Sequence, residues 1–163
     1  MRQILAPILL LVFLFPALAL GGEVKLEDLV ERDGLYFQKF SEVPFTGKVT
    51  GKQQGSFKDG KRDGPYFSYD DNGQLYEKGT YKDGKKHGLW VRYHENGQLW
   101  DKGTYKDGKE EGHWVRYHEN GRLWWKVTYK DGELDGRWVS YNKDGTMNEI
   151  YSGTWRDGVR VYD

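Results

Sequence analysis

Residues 79–102 (GTYKDGKKHGLWVRYHENGQLWDK) and residues 103–126 (GTYKDGKEEGHWVRYHENGRLWWK) align without a gap, 24 residues apart. A weaker copy begins at Gly55 and another at Val127, after which the register slips by two residues before Gly153. A fixed period of this length marks a stacked array, in which each unit buries its apolar face only against its neighbours. The units run near 55–78, 79–102, 103–126 and 127–152, with a partial unit at 153–163.

Two turn signals recur in each unit. Asn72-Gly73, Asn96-Gly97 and Asn120-Gly121 share one phase, and this dipeptide suits a two-residue type I′ hairpin in which both residues take positive φ. Asp83-Gly84 and Asp107-Gly108 mark the other phase. Strand-forming residues such as Trp90-Val91-Arg92-Tyr93 lie between them, so each unit supplies two strands joined by hairpins. The predicted architecture is all-β: an elongated antiparallel meander in a single sheet that can curl, with a short N-terminal helix or irregular lead-in.

A two-residue turn at Asn96-Gly97 would set Tyr93 opposite Trp100, Arg92 opposite Asp101 and Trp90 opposite Gly103. It would likewise pair Tyr69 with Tyr76 and Tyr117 with Trp124. These opposed rings would share a face with Phe67, Val91, Val115 and Val139. The other face would carry Trp90, Trp114 and Trp138, with Tyr81, Tyr105, Tyr129, Leu75, Leu99 and Leu123. Gly79 and Gly103 fall opposite Tyr66 and Trp90, where a large ring can cover bare backbone. Aromatics make up 16% of the chain and the repeats hold few aliphatics, so rings must supply much of the buried area.

The first 22 residues have a positive start at Arg2, an apolar run and a small-residue site ending at Ala19. This is the pattern of a cleaved secretory leader at 1–19, with a retained anchor as the rival reading. Export to the periplasm or the exterior follows from it. Residues 20–54 read as a connector and cap: mixed apolar spacing at 23–32, a turn at Asp33-Gly34, then strands at 35–40 and 45–50 joined across Ser41 to Pro44. Such a unit would cover the open sheet edge.

Within the array, residues 79–88 (GTYKDGKKHG) resemble the MORN repeat, whose core reads roughly Tyr-x-Gly-x-Trp-x-x-Gly-Lys-x-x-Gly. The longer spacing with Tyr-x-x-Asn-Gly is similar to the bacterial MORN-variant repeat, some members of which carry an antitoxin-like label. The resemblance covers about residues 55–160 and departs from the pattern at Val127, where glycine is expected. It implies a β-hairpin scaffold for protein contacts, and for some arrays binding of phospholipid headgroups.

Several chemistries are disfavoured by the residues themselves. There is no cysteine and hence no thiolate nucleophile or disulfide, and a formal charge of +0 does not suit a nucleic-acid binder. His94 and His118 occupy equivalent places two strands apart, about 9.5 Å at ~4.8 Å per strand. That gap is too wide for one zinc ion, so solvated or ring-stacked histidines are expected. Asp83, Asp107 and Asp131 precede turn glycines, where aspartate serves the turn. The turn charges fall from +1 at 58–63 and +2 at 82–86 to −1 at 106–111 and −2 at 130–135, so no basic strip faces a membrane.

The expectation is therefore a non-enzymatic, cofactor-free and metal-free scaffold with a protein partner. A glycan- or cell-wall-binding module is the alternative, and anionic lipid the weaker one. Candidate contact rings are Trp90, Trp114, Trp138, Tyr93, Trp100, Tyr117 and Trp124.

Overall fold

The computed structural model describes residues 23–162. The expected leader at 1–19 lies outside them. After a 3-10 turn at Leu26–Asp28, strands β1 (Leu29–Arg32) and β2 (Leu35–Gln38) form a small antiparallel sheet. The remaining strands are β3 (Gly47–Val49), β4 (Gln53–Lys58), β5 (Lys61–Tyr69), β6 (Leu75–Lys82), β7 (Lys85–Tyr93) and β8 (Leu99–Lys106). They continue as β9 (Lys109–Tyr117), β10 (Leu123–Lys130), β11 (Glu133–Leu134), β12 (Gly136–Ser140), β13 (Gly153–Arg156) and β14 (Val159–Val161). These twelve make one open antiparallel meander with β3 and β14 at its ends.

Sequence places the turns correctly but assigns their conformations the wrong way round. The type I′ turns are the Asp-Gly ones: φ is +49° and +81° at Asp83 and Gly84, and +51° and +87° at Asp107 and Gly108. Each turn glycine also donates its N–H to the preceding repeat, Gly84 to Arg62 O (2.8 Å) and Gly108 to Lys86 O (2.9 Å). Asp107→Val should therefore cost about 1–2 kcal/mol, the penalty of a branched side chain in the left-handed region. Asp107→Asn should melt like the parent; thermal denaturation separates the two.

At the other edge Gly73, Gly97 and Gly121 have positive φ, whereas Asn72, Asn96 and Asn120 do not. Gly97 N–H closes a turn onto His94 O (2.8 Å), giving a three-residue loop with a left-handed glycine last. The asparagine is chosen for its side chain. Asn96 Oδ1 accepts from Gln98 N–H (3.0 Å), and Asn96 Nδ2 donates to Glu119 O in the next repeat (2.8 Å).

The longer loop puts a β-bulge into each such hairpin. Trp90 faces Gly103 and Arg92 faces Asp101 as expected, but Tyr93 then pairs with Leu99, leaving Trp100 as the extra residue. Tyr69 pairs with Leu75 and Tyr117 with Leu123 in the same way. The expected ring pairs Tyr93–Trp100, Tyr69–Tyr76 and Tyr117–Trp124 do not form. A bulge moves a side chain to the other face, so Trp100 joins the face of Arg92, and Leu99 leaves it for that of Tyr93.

The connector also departs from expectation. Residues 29–32, read as lead-in, form β1, whereas the strands expected at 35–40 and 45–50 appear as 35–38 and 47–49. These pair mainly with β1 and β4, and the Phe37–Pro44 bridge and the bond from Phe45 N–H to Tyr36 O (2.8 Å) join them across Ser41 to Pro44. Leu29, Val49 and Phe57 make the compact core here, with Val24, Leu26, Tyr36 and Phe45 against it. Thr50 N–H bonds Val24 O (2.9 Å) along the outer side of β3. This segment thus covers part of the first edge of the sheet.

Candidate functional site

One face of the sheet carries an aromatic spine. Tyr66, Tyr81, Trp90, Tyr105, Trp114 and Tyr129 follow one another at centroid distances of 5.1–6.2 Å, mostly edge to face. Glycine makes this possible. A Cβ on Gly79 would lie 2.3 Å from Trp90 Cδ2 and one on Gly103 would lie 2.0 Å from Trp114 Cδ2. Each indole therefore lies flat on the backbone of the preceding strand, so Gly79 and Gly103, although paired with Tyr66 and Trp90 as expected, are covered by Trp90 and Trp114. So placed, Trp90 Nε1–H reaches Thr80 O and Trp114 Nε1–H reaches Thr104 O, both at 3.2 Å.

Val127 breaks the series. It occupies the place of Gly79 and Gly103 and is itself buried. Trp138 packs instead towards Trp125 and Trp155, at 5.9 and 6.1 Å, and its Nε1–H has no partner.

Burial raises the tyrosine pKa values along the spine, Tyr81 and Tyr105 from 10.0 to about 12. Nearby Arg62 works in the opposite direction at Tyr81, and Glu110 reinforces burial at Tyr105. In the unfolded chain these phenols lose their protons first, so the folded state binds more protons between the two values. Their contribution to stability is fully present below pH 10 and is lost as pH rises to about 12. Alkaline unfolding should accompany tyrosinate absorbance in that window, and Tyr105→Phe should weaken the coupling.

Beside the spine the bulge creates a second row, Tyr76, Trp100 and Trp124. Tyr76 and Trp100 are 6.2 Å apart. Arg92 lies over Trp100 at 4.5 Å, and Arg116 over the same ring at 5.1 Å. Both guanidinium groups converge on Asp101, which is 1% exposed. Arg92 Nε donates to Oδ1 at 2.8 Å and Arg116 Nη2 to Oδ2 at 2.8 Å. Burial opposes the Arg92 charge, but the bonds and charge of Asp101 outweigh it and hold its pKa above the ordinary value.

The histidines staple this edge. His94 Nε2 donates to Tyr117 O and His118 Nε2 to Tyr141 O, both at 3.0 Å. His118 is buried and stacks on Trp124 at 5.1 Å and 19°. It is ring-stacked, not solvated. Among the described residues no group of three or more His, Cys, Asp or Glu side chains could hold a metal ion.

The rings singled out from sequence thus divide by place. Trp90 and Trp114 are buried, at 2% and 5% exposure. Trp138 is half-buried in the last repeat, and Tyr93 and Tyr117 are half-buried on the opposite face. Trp100 and Trp124 border two grooves at the Asn-Gly edge, of about 540 and 310 Å³, which Tyr93 and Tyr117 respectively also line. Sequence reasoning missed Tyr76 as a groove residue and Arg116 as the second partner of Asp101. The signal for Arg116 was present, since Arg92 and Arg116 occupy one repeat position on either side of a single acid.

Hairpins repeated along one open sheet, spined by rings lying on glycine, define a β-repeat protein. The MORN repeat variant model matches residues 62–83, 86–107 and 110–131, and the MORN repeat model matches 54–65, 78–89 and 151–161. Together they cover more than half of the chain, which belongs to the MORN-repeat family. No curated protein sequence matches it.

Proposed function

We propose that the chain is an exported, non-catalytic scaffold that holds a protein partner against the row formed by Tyr76, Trp100 and Trp124. One observation carries this reading: the rings are unequally occupied. Trp90 and Trp114 are enclosed by their own repeats, whereas Tyr76 and Trp124 remain 39% and 40% exposed on one edge. Tryptophan, tyrosine and arginine are the side chains that protein interfaces use most as anchors.

The test is a photo-crosslinking residue placed singly at positions 76, 124 and 89 of the full chain, in the cells that make it. Positions 76 and 124 should give one light-dependent protein adduct of common mass, and position 89, on the opposite face, should not. No adduct from 76 or 124, or the same ladder of products from all three, counts against the reading. Export predicts a mature protein whose N-terminal sequence starts at Leu20; a chain retaining Met1 would refute cleavage.

One observation also favours a glycan. Trp124 offers a part-exposed indole held flat by the stacked His118 ring, a shape suited to a sugar face. Peptidoglycan fragments should then quench tryptophan fluorescence in the parent and not in Trp124→Ala.

A further inference from the structure

The two grooves at the Asn-Gly edge are repeats of one another, yet their charges differ. The larger is bordered by Tyr76, Trp100 and His94, with the carboxylates of Asp70, Glu95 and Glu119, and no lysine or arginine lines it. In the smaller one, 24 residues on, Asp70 is replaced by His94, and the Glu95 and Glu119 pair becomes Glu119 and Lys143. The larger groove thus holds three carboxylates, and the smaller one carboxylate and a lysine. None of Asp70, Glu95 and Glu119 makes an ion pair among the described residues. Asp70 Oδ1 accepts from Asn72 and Gln74 N–H, at 3.1 and 2.9 Å, which fixes the carboxylate in place.

Resting on the protein-binding reading, we infer that this groove seats an arginine or lysine side chain of an extended partner segment. Aromatic faces attract cations through the ring quadrupole, and Trp100 already lies under two guanidinium groups of its own chain. Those cations do not cancel the site. Arg92 and Arg116 share Asp101 and Lys86 pairs with Glu77, so that cluster carries one net positive charge, and Lys78 over Tyr93 adds a second, against three carboxylates at the rim.

The rim also selects among cations. Carboxylates accept N–H bonds, which arginine and lysine supply and a quaternary ammonium headgroup lacks. A planar guanidinium can in addition lie against an indole while its edge reaches a carboxylate. The basic residue would enter at Trp100, and a residue about three further along, at ~3.3 Å per residue of extended chain, would meet the less acidic groove at Trp124.

The experiment titrates the full chain with three probes: acetyl-Gly-Gly-Arg-Gly-Gly-amide, its citrulline counterpart, and tetramethylammonium. Indole N–H signals are followed by two-dimensional NMR. The arginine peptide should move the Trp100 signal and leave Trp90 and Trp114 in place, at least tenfold more tightly than citrulline. Glu95→Gln with Glu119→Gln, both exposed positions, should weaken it at least tenfold with an unchanged melting temperature. Lys143→Glu should make the Trp124 signal respond as well.

Equal binding of citrulline, preference for tetramethylammonium (the result expected of a lipid headgroup site), or no response at Trp100 would overturn the inference. A partner adduct at position 76 or 124 that forms undiminished in E95Q/E119Q would also overturn it, while leaving the protein-binding reading intact. The arginine response without any protein adduct would uphold the groove chemistry and sink that reading.

Discussion

Gly103→Ala should lower the stability of the folded chain by about 3 kcal/mol, the upper range for forcing one extra carbon into a packed site. The backbone at Gly103 lies outside the left-handed region, so alanine suffers no φ penalty and the effect is steric. The added Cβ would stand 2.0 Å from Cδ2 and 2.1 Å from Cε2 of Trp114, a rigid ring unable to yield by a few tenths of an ångström. Displacing the ring also lifts Nε1–H from Thr104 O and opens the contacts with Tyr105 and Tyr129.

Urea unfolding measures the loss, and near-ultraviolet circular dichroism reports whether the ring has moved. Thr104→Ala, an exposed change on the same strand, should cost under about 0.5 kcal/mol and serves as the control. The cycle with Trp114→Ala should be strongly non-additive, because alanine at 103 clashes only while the indole is present. A Gly103→Ala loss below about 1 kcal/mol, the ordinary range for a single substitution, would show that Trp114 does not need bare backbone beneath it. The fourth repeat shows the same conflict in natural form. There Val127 replaces the glycine, and Trp138 has left that seat with its indole N–H unpartnered.

This glycine–ring pairing was readable in outline from the sequence, and its limits are instructive. Period, turn positions and the alignments of Trp90 with Gly103 and Arg92 with Asp101 depend on local chemistry, which a sequence displays directly. The bulge at Tyr93 does not. Asn-Gly serves either a two-residue type I′ turn or a longer loop ending in left-handed glycine. What accompanies the longer loop here are bonds to the next repeat, from Asn96 to Glu119 O and from His94 to Tyr117 O. Those long-range partners are invisible in any one hairpin.

The candidate site inherits this ambiguity. One extra residue sends Trp100 to the face of Arg92 and Asp101, and so decides which rings line a groove. Sequence identified the rings as candidates but had no means to separate the buried Trp114 from the part-exposed Trp124, since both occur in one repeat at strand positions. The connector was legible only in part, its strand at 29–32 having been read as lead-in, for a related reason. Its strands find partners across Asp33-Gly34 and in β4, and only tertiary packing around Phe57 selects those pairings.

Asp101→Ala should be the other large loss, about 3 kcal/mol, because it strands two positive charges that share one buried carboxylate. The figure sits at the low end for breaking a buried ion pair, since Arg92 and Arg116 keep 28% and 25% of their side chains exposed and can turn partly to water. The neighbours identify the cause. Asp101→Asn retains shape and one acceptor but removes the charge, so it should recover only part of the loss. Ordinary cavity formation would instead make the asparagine variant nearly normal.

Removing the stranded charges as well gives the sharper result. Arg92→Met and Arg116→Met in the Asp101→Leu background should restore most of the stability, because an apolar replacement of a buried ionic cluster is often neutral or better. Arg92→Met alone should cost less than Asp101→Ala, as Arg116 continues to neutralise the carboxylate. Urea midpoints of the four variants test the order. A triple variant no more stable than Asp101→Ala would mean that Asp101 holds the bulged strand through its shape and hydrogen bonds, with charge balance secondary.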